Sequence, residues 1–220
     1  LAGCRVSLDT YQQLEQFPHL SHLEMDYQDS ALNLLPITLK VLELYTPHLT
    51  IDMCAQLQKL SNLIKFKLDY SETCTNEALA LLPKSLQKID MINSEINDIG
   101  LEFISNFPKL THLNLSFNKE ITINGISKLP ASITSLRLDG CINIGDDIFT
   151  ILHHLPHITS LSIASNPIIT GKNIRLLPTT INELIIDRSN LSLEAISYLE
   201  HSPYLTNLQF RSKRNCFVLI

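Results

Sequence analysis

A pattern of apolar residues, L-x-x-L-x-L, recurs along almost the whole of this 220-residue chain, with Ile, Phe or Met replacing some of the Leu residues. The copies begin at Leu20, Leu39, Leu63, Leu86, Leu110, Ile133, Ile158, Ile181 and Leu205. After a first step of 19 residues, successive copies are 23 to 25 residues apart. Self-similarity at such a period is typical of a repeat protein, in which each unit packs only on its neighbours.

Each repeat predicts one strand and one return segment, which is the stretch that leads the chain from the end of one strand to the start of the next. The alternation in L-x-L places Leu in the core and the intervening residue on the opposite face, and neighbouring strands then form a parallel sheet. We expect helices of about three turns in the longer returns, and about two turns in the shorter ones. The longer returns are residues 51–60, 98–107, 146–155 and 192–201. Because strands lie closer together than helices, the stack should curve with its sheet inside.

A polar residue follows the strand in most repeats. The full pattern LxxLxLxxN occurs at 110–118 and 158–166, and Cys141 takes the Asn position within LRLDGCINIGDD. The chain therefore resembles the leucine-rich-repeat family over residues 1–213, and this stretch resembles its cysteine-containing subfamily. The resemblance implies an α/β solenoid, a curved horseshoe with a parallel sheet on its concave face and helices on its convex face. It implies about nine repeats after a partial first one.

The polar position, called the slot below, is filled less regularly toward both ends. It holds Ser in three repeats, at Ser71, Ser94 and Ser189. Gln28, Pro47 and Lys213 depart further from the pattern. We therefore expect the ladder of slot side chains that hydrogen-bond the backbone to be weaker near both ends.

Both ends of the chain carry cysteines that invite other interpretations. LAGC at the start spells a bacterial lipobox, but in register Cys4 falls in the slot of a partial repeat. The chain is therefore expected to begin within a repeat and to be a fragment of a longer protein. Cys216 is fifth from the end, whereas a prenylation box needs cysteine fourth from the end. Residues 214–220 are expected to form a C-terminal tail or cap.

No catalytic motif is visible in the sequence. GxGxxG, Walker A, HExxH and GxSxG are all absent. His153, His154 and His157 cluster at a helix end without converging acids or thiols, and no basic residue closely flanks Cys54. Asp146 and Asp147 are interpreted as acids that cap a helix start. The sequence predicts a binding protein rather than an enzyme, with no cofactor and no metal.

Composition limits the class of partner. The net charge of −5 gives no electrostatic reason to expect a nucleic acid, and no run of 18 apolar residues predicts a membrane span. Five cysteines without a CxxC pair favour reduced thiols and a cytoplasmic compartment. We therefore expect a monomer that binds another protein.

The predicted binding residues lie between the core Leu positions of the first four repeats. There, charged residues and exposed tyrosines occur together, as they do in protein interfaces. The candidates are Glu24, Asp26, Tyr27, Glu43, Tyr45, Lys67, Asp69, Tyr70 and Asp90. Their excess of acids indicates a partner with a basic or mixed surface.

Three functional hypotheses follow from the fold and composition, the third being a purely structural protein in which no residue of the concave face matters for binding. In the first, the chain is a protein–protein interaction module, similar in composition to repeat proteins that bacteria such as Legionella deliver into the cytosol of host cells. In the second, it is the substrate-recognition arm of a larger ubiquitin-ligase-type enzyme or receptor. The resemblance to cysteine-containing repeats supports the second, because such repeats often accompany an F-box. No F-box or catalytic cysteine domain is visible in this sequence, so the full-length open reading frame would decide between the first two hypotheses.

Overall fold

The computed structural model describes residues 12–26, 32–211 and 216–219. Its strands, in chain order, are β1 (His22–Asp26), β2 (Val41–Tyr45), β3 (His48–Leu49), β4 (Lys65–Asp69), β5 (Thr73–Cys74), β6 (Lys88–Asp90), β7 (His112–Asn114), β8 (Ser135–Arg137), β9 (Ser160–Ser162), β10 (Glu183–Ile185), β11 (Asn207–Arg211) and β12 (Cys216–Leu219). Within the described ranges, ten of them form one sheet in the order β1-β2-β4-β6-β7-β8-β9-β10-β11-β12, and β3 pairs with β5. The L-x-L strands predicted from the repeat are confirmed.

The main sheet is parallel except at its last pair. Every pair from β1 to β11 is parallel, and equivalent repeat positions face each other, as the core residues Ile89 on β6 and Leu113 on β7 do. β12 runs antiparallel to β11, with Phe217 opposite Phe210. β12 lies within residues 214–220, where a tail or cap was predicted, and it pairs with the edge of β11 that would otherwise be open.

The return segments contain helices shorter than expected. The α-helices are α1 (Ile51–Leu57), α2 (Asp98–Ile104), α3 (Ile123–Ile126), α4 (Ile148–Ile151) and α5 (Leu193–Glu200). 3₁₀ segments occupy Gln13–Gln16, Leu32–Leu34, Asn76–Leu81, Leu152–His154 and Ile174–Leu176.

The prediction of about three turns in the long returns was wrong. The helices α1 and α2 have seven residues each and α5 has eight. In the first of these returns, the helix gives way to a turn in which Leu60 N–H donates to the Leu57 carbonyl at 2.9 Å. That turn places Leu60 fully in the core. The helix ends early because the chain must bring this apolar residue back toward the sheet.

Several helices start at a side chain that accepts a hydrogen bond from the first turn. Thr50 accepts from Met53 N–H at the start of α1, and Ser192 accepts from Ala195 N–H at the start of α5. The Asn97 side chain accepts from two backbone N–H groups of α2. These contacts satisfy donors that a helix start otherwise leaves exposed.

The apolar repeat positions form one continuous core between the sheet and the return segments. In the repeat that begins at Leu110, that residue and Leu113 and Leu115 are at most 1% exposed. Near the C-terminal end the equivalent positions are less covered, with Leu208 7% and Phe210 9% exposed. Each unit is therefore buried by its neighbours, as a solenoid requires.

The slot side chains form a ladder between repeats. In four successive repeats, the slot side chain donates a hydrogen bond of 2.8 to 3.3 Å to the carbonyl at the same position of the preceding repeat. The donor atoms are Ser94 Oγ, Asn118 Nδ2, Cys141 Sγ and Asn166 Nδ2. All four slot residues are at most 1% exposed. The ladder predicted from the sequence is confirmed for these repeats.

Asn118 makes the largest number of described contacts in this ladder. Its Oδ1 accepts from the N–H groups of Ser94 and Ile96, both at 2.9 Å. Its Nδ2 also donates to the Leu115 carbonyl of its own repeat at 2.8 Å. A single buried amide therefore satisfies backbone groups of two successive repeats.

The ladder differs toward the ends of the described chain. Ser71 Oγ donates to the Pro47 and Thr73 carbonyls, and Ser189 Oγ is buried with no hydrogen-bond partner among the described residues. The Ser189 finding agrees with a weaker ladder at the C-terminal end. Gln28, Lys213 and the partial first repeat around Cys4 lie outside the described residues.

Carboxylates connect successive return segments. Asp98 accepts from Thr122 N–H at 2.8 Å and from the Thr122 hydroxyl at 2.6 Å. Asp146 repeats this contact with Thr170, and also accepts from Gly171 N–H at 2.8 Å. The interpretation of Asp146 as a cap of its own helix is therefore corrected, because its carboxylate binds donors of the next repeat. Asp147 precedes α4 but makes no side-chain capping bond.

We predict that Asn118→Ala destabilises the protein more than Asn166→Ala. The first change removes four hydrogen bonds and the second removes two, because Asn166 Oδ1 has no partner within the described residues. We expect the free energy of unfolding to fall by about 3–5 kcal/mol for Asn118→Ala and by about 1–3 kcal/mol for Asn166→Ala. Urea unfolding followed by circular dichroism measures both. Equal losses would contradict the assignment of Asn118 as the stronger link.

We also predict that Gly125→Ala destabilises the protein while Gly145→Ala does not. A Cβ at Gly125 would lie 2.4 Å from Asp98 Oδ1, and would displace the carboxylate that binds Thr122. At Gly145 the nearest atom is the flexible end of Ile168, 3.3 Å away. Thermal unfolding should show a loss of about 1–3 kcal/mol for Gly125→Ala and a change within about 0.5 kcal/mol for Gly145→Ala. A tolerated Gly125→Ala would mean that the Asp98 contact contributes little.

Candidate functional site

The open face of the sheet carries the residues between the core Leu positions. Neighbouring strands are about 4.8 Å apart, whereas packed helices need about 8–10 Å, so this face is the concave side of the stack. Because the strands pair without stagger, each repeat position becomes a row across the sheet. Side chains that are about 24 residues apart in sequence therefore become direct neighbours.

The structure brings most of the predicted binding residues into two adjacent rows. One row contains, on the successive strands β1, β2, β4 and β6, the residues Glu24, Glu43, Lys67 and Asp90. Asp26, Tyr45 and Asp69 form the next row on β1, β2 and β4. Tyr70 follows directly after β4. Tyr27 lies outside the described residues.

Glu43 is the centre of a charge cluster on this face. Its carboxylate lies 2.9 Å from Lys65 Nζ, 3.5 Å from Lys67 Nζ and 3.9 Å from His22 Nε2. Partial burial raises the pKa of Glu43, but the hydrogen bonds and charges of Lys65 and Lys67 outweigh it and hold this pKa below its ordinary value. The acid is therefore already neutralised within the molecule, and it contributes less to an acidic surface than the sequence suggested.

Tyr45 connects the two rows. Its hydroxyl donates to Glu24 Oε1 at 2.8 Å, and this bond is the main reason that the pKa of Tyr45 lies above its ordinary value. The ring remains 37% exposed. An aromatic ring that is held by a hydrogen bond but still exposed can bury apolar area against a partner at little cost in side-chain entropy.

The residue seven positions after the first Leu or Ile of the repeat adopts a left-handed backbone in several repeats, including those of Asn93, Ser165 and Arg188. Its φ is +59° at Tyr70, +66° at Phe117 and +67° at Gly140. In this conformation Tyr70 N–H donates to the Ile92 carbonyl at 2.8 Å, and Phe117 N–H donates to the Asp139 carbonyl at 2.6 Å. Glycine adopts this backbone without strain, whereas a residue with a Cβ loses about 1–2 kcal/mol.

Two bulky aromatic residues therefore occupy strained positions without being buried. Tyr70 is 69% exposed and Phe117 is 48% exposed. Neither ring compensates for its backbone conformation by entering the core. Asn93, Ser165 and Arg188 share this backbone, so the repeat turn sets it, and the feature particular to Tyr70 and Phe117 is the exposure of their rings. With the exposed Tyr45 they form the aromatic edge of the open face, defined here as Tyr45, Tyr70 and Phe117.

A second cluster on the same face was not among the predicted site residues. Lys88, His112 and Ser135 face one another on β6, β7 and β8, beside Asn114 and Arg137 in the next row. These residues line a shallow cavity of about 190 Å³. The signal was present in the sequence, since Lys65, Lys88 and His112 occupy the same position of three successive repeats. It was missed because the prediction favoured the repeats with the most acids and tyrosines.

The three cysteines whose side chains the structure describes show no sign of reactivity. Cys54, Cys74 and Cys141 are free thiols, and burial raises the pKa of each to about 12. A thiol with such a pKa is almost wholly protonated at neutral pH, whereas nucleophilic cysteines react as thiolates. The interpretation of Cys54 as a structural residue is consistent with this environment.

The histidines near the end of α4 hydrogen-bond the backbone of their own return segment. His153 Nδ1 lies 2.8 Å from the Thr150 carbonyl, and His154 Nδ1 contacts the Ile151 carbonyl. Among the described residues, no group of three or more His, Cys, Asp or Glu side chains is placed to hold a metal ion. Within the same residues, no helix has the length and apolar character needed to cross a membrane.

Comparison with known proteins supports the fold. Residues 108–129 match the family model for the leucine-rich repeat. This stretch contains the complete LxxLxLxxN pattern that ends at Asn118. No curated protein sequence matches the chain significantly.

Solved structures match over most of the chain. A chain of the mouse RP105/MD-1 complex aligns with a TM-score of 0.62 and 20% identity, over 91% of this chain and 35% of that chain. This chain thus spans about a third of the length of that protein. Internalin C2 from Listeria monocytogenes aligns at 0.57 and 18%, over 87% of this chain and 76% of that one. A chain of the yeast Rad7 and Elc1 complex aligns at 0.55 and 17%, over 96% and 76%. Together with the repeat match, these likenesses show that the chain has the leucine-rich-repeat fold.

Proposed function

We propose that this chain is a protein–protein interaction module, and that its partner binds the open face of the sheet at the N-terminal half. One observation carries this proposal most directly. Tyr70 is 69% exposed, at a left-handed turn position that other repeats fill with Asn93, Ser165 or Arg188 rather than with a large ring. The core gains nothing from this ring, so a partner is the natural source of its burial.

The surroundings of Tyr70 support the same conclusion. Tyr45 is also exposed, and the charged row of Glu24, Glu43 and Lys67 lies beside it on the open face. Aromatic residues bordered by charges form the energetic centre of many protein interfaces. A short parallel sheet also holds these side chains on rigid backbone, so little order must be gained on binding.

The solved structures add support of a general kind. Two of the similar chains come from structures named as complexes, RP105/MD-1 from mouse and Rad7 and Elc1 from yeast. Leucine-rich repeats in those proteins thus occur in assemblies with other proteins. Their sequence identity to this chain is 20% or less, so neither partner is transferred to it.

We further propose that the module acts in a reducing, cytoplasm-like compartment, as a bacterial effector that binds a host protein. Buried free thiols and the composition of the repeats favour this setting.

The alternative is the substrate-recognition arm of a ubiquitin-ligase-type enzyme. The buried Cys141 in the slot favours this alternative, because it matches the cysteine-containing repeats. The coding sequence around this region would decide between the two, since an F-box or a catalytic cysteine domain would support only the second.

We predict that the pair Tyr45→Ala and Tyr70→Asn abolishes partner binding without unfolding the protein. Asn tolerates the left-handed backbone, so the change at Tyr70 removes the ring without adding strain. The matched control is Leu176→Ala with Leu193→Ala, which removes apolar groups that are 56% and 86% exposed on the return segments. The immobilised proteins are incubated with eukaryotic cell lysate, and quantitative mass spectrometry compares the proteins retained.

The expected result is a protein retained by the parent and the control and reduced at least about tenfold with the tyrosine variant. Circular dichroism checks that all three proteins are folded. Equal retention by the tyrosine variant would show that another surface binds. A loss with the leucine control alone would place the site on the return segments.

A further inference from the structure

The cationic bay is the cavity of about 190 Å³ on the open face whose lining includes Lys88, His112, Asn114, Ser135 and Arg137. Three successive strands, β6, β7 and β8, supply these side chains. The unstaggered register places Lys88, His112 and Ser135 in one row, and Asn114 and Arg137 in the next. Five groups able to donate hydrogen bonds thus surround one small concavity.

The internal contacts of these residues leave donors available to a ligand. Asn114 Oδ1 accepts from Ser116 N–H at 3.2 Å and from the Ser116 hydroxyl at 2.8 Å, so its acceptor is occupied and its NH₂ group remains. His112 Nδ1 lies 2.9 Å from Thr111 Oγ1, which leaves Nε2. Lys88 Nζ has no ion pair or hydrogen bond to any other described residue.

The carboxylates in and near the bay all have contacts within the molecule. Asp139 binds Arg137 Nη2 at 3.0 Å, and it also accepts from Ser162 Oγ and from Ala164 N–H. Glu43 is bound by Lys65 and Lys67. Asp90 itself lines the bay, where it is half-buried in the row of Asn114 and has a contact of its own within the molecule.

Charge in this part of the face favours a singly charged anion. The described side chains here include four positive charges, on Lys65, Lys67, Lys88 and Arg137, and three negative charges, on Glu43, Asp90 and Asp139. His112 adds a further positive charge when it is protonated. The positive excess is thus small. A carboxylate carries one charge and accepts several hydrogen bonds. A phosphate dianion would meet stronger repulsion from Asp90 and Asp139.

We infer that the cationic bay binds a carboxylate side chain from an acidic peptide segment of the partner protein. This inference rests on the proposed function, because the partner that covers Tyr70 next to β4 also reaches β6 to β8. Three strand spacings of about 4.8 Å separate β4 from β8, and about five extended residues span that distance. The partner therefore presents an acidic segment to Lys88 and Arg137 and a mixed surface to the rows around Glu43 and Tyr45.

The test measures binding of a fluorescein-labelled oligoglutamate peptide by fluorescence anisotropy at low ionic strength. Matched oligoglutamine and oligolysine peptides control for length and for charge. We expect binding of oligoglutamate alone, weakened about five- to tenfold by Lys88→Ala and by Arg137→Ala. Lys172→Ala removes one exposed positive charge outside the bay and should leave binding within about twofold.

Four outcomes would overturn the inference. Equal binding of the three peptides would show no preference for carboxylates. An equal loss with Lys172→Ala would show that net charge, rather than the bay, attracts the peptide. Displacement of the peptide by inorganic phosphate, but not by acetate at equal ionic strength, would assign the bay to a phosphoryl group. Peptide binding that fails while lysate capture remains sensitive to Tyr45 and Tyr70 would refute this inference and leave the proposed function standing.

The pH dependence of peptide binding provides a further prediction. Burial, followed by the charge of Lys88, lowers the pKa of His112, so the ring is mostly neutral at neutral pH. A bound carboxylate would raise this pKa again, and binding would take up a proton. The affinity for oligoglutamate should therefore increase as the pH falls through the histidine range, and this increase should be absent in His112→Gln. An unchanged increase in the variant would exclude His112 from the site.

Discussion

The fold depends on hydrogen bonds that one repeat makes to the backbone of the repeat before it. Apolar stacking alone would hold the strands together but would leave the turns after them with buried backbone groups that have no partner. Asn118 solves this for two repeats at once, because its amide accepts from Ser94 and Ile96 and donates to Met91 and Leu115. Where a shorter side chain fills the slot, as Ser189 does, fewer such groups are satisfied. The slot side chain therefore holds the turn after each strand in place, and the turns determine where each strand ends.

The same regular stacking explains why the open face can be described in rows. Glu24, Glu43 and Lys67 are far apart in sequence but lie side by side, because no strand is shifted against the next. Single substitutions at one repeat position thus change one place in a row without disturbing the core beneath it. This separation of the core from the surface lets a leucine-rich repeat alter its partner while it keeps its fold.

Much of the fold could be predicted from the sequence, whereas the site could be predicted only in part. The strands, the buried Leu positions and the slot at Asn118 follow from a local pattern, and the structure confirms them. Helix length was overestimated, because the turn that brings Leu60 into the core depends on contacts with the sheet. Asp146 was assigned to its own helix, because no local pattern shows that its carboxylate reaches Thr170 in the next repeat. The neutralisation of Glu43 by Lys65 and Lys67 likewise depends on which strands are neighbours.

The two features proposed to bind a partner differ in the kind of energy that they supply. The aromatic edge offers apolar area on rings that the backbone holds in place, which favours affinity and slow dissociation. The cationic bay offers charge-assisted hydrogen bonds in a place that remains wet until a partner covers it, which favours selection among partners. Because Asp90 and Asp139 remain close to Lys88 and Arg137, a partner gains from the bay only when its carboxylate is placed on the donors. An acidic segment in the wrong register would meet those acids instead, so the arrangement discriminates by position as well as by charge.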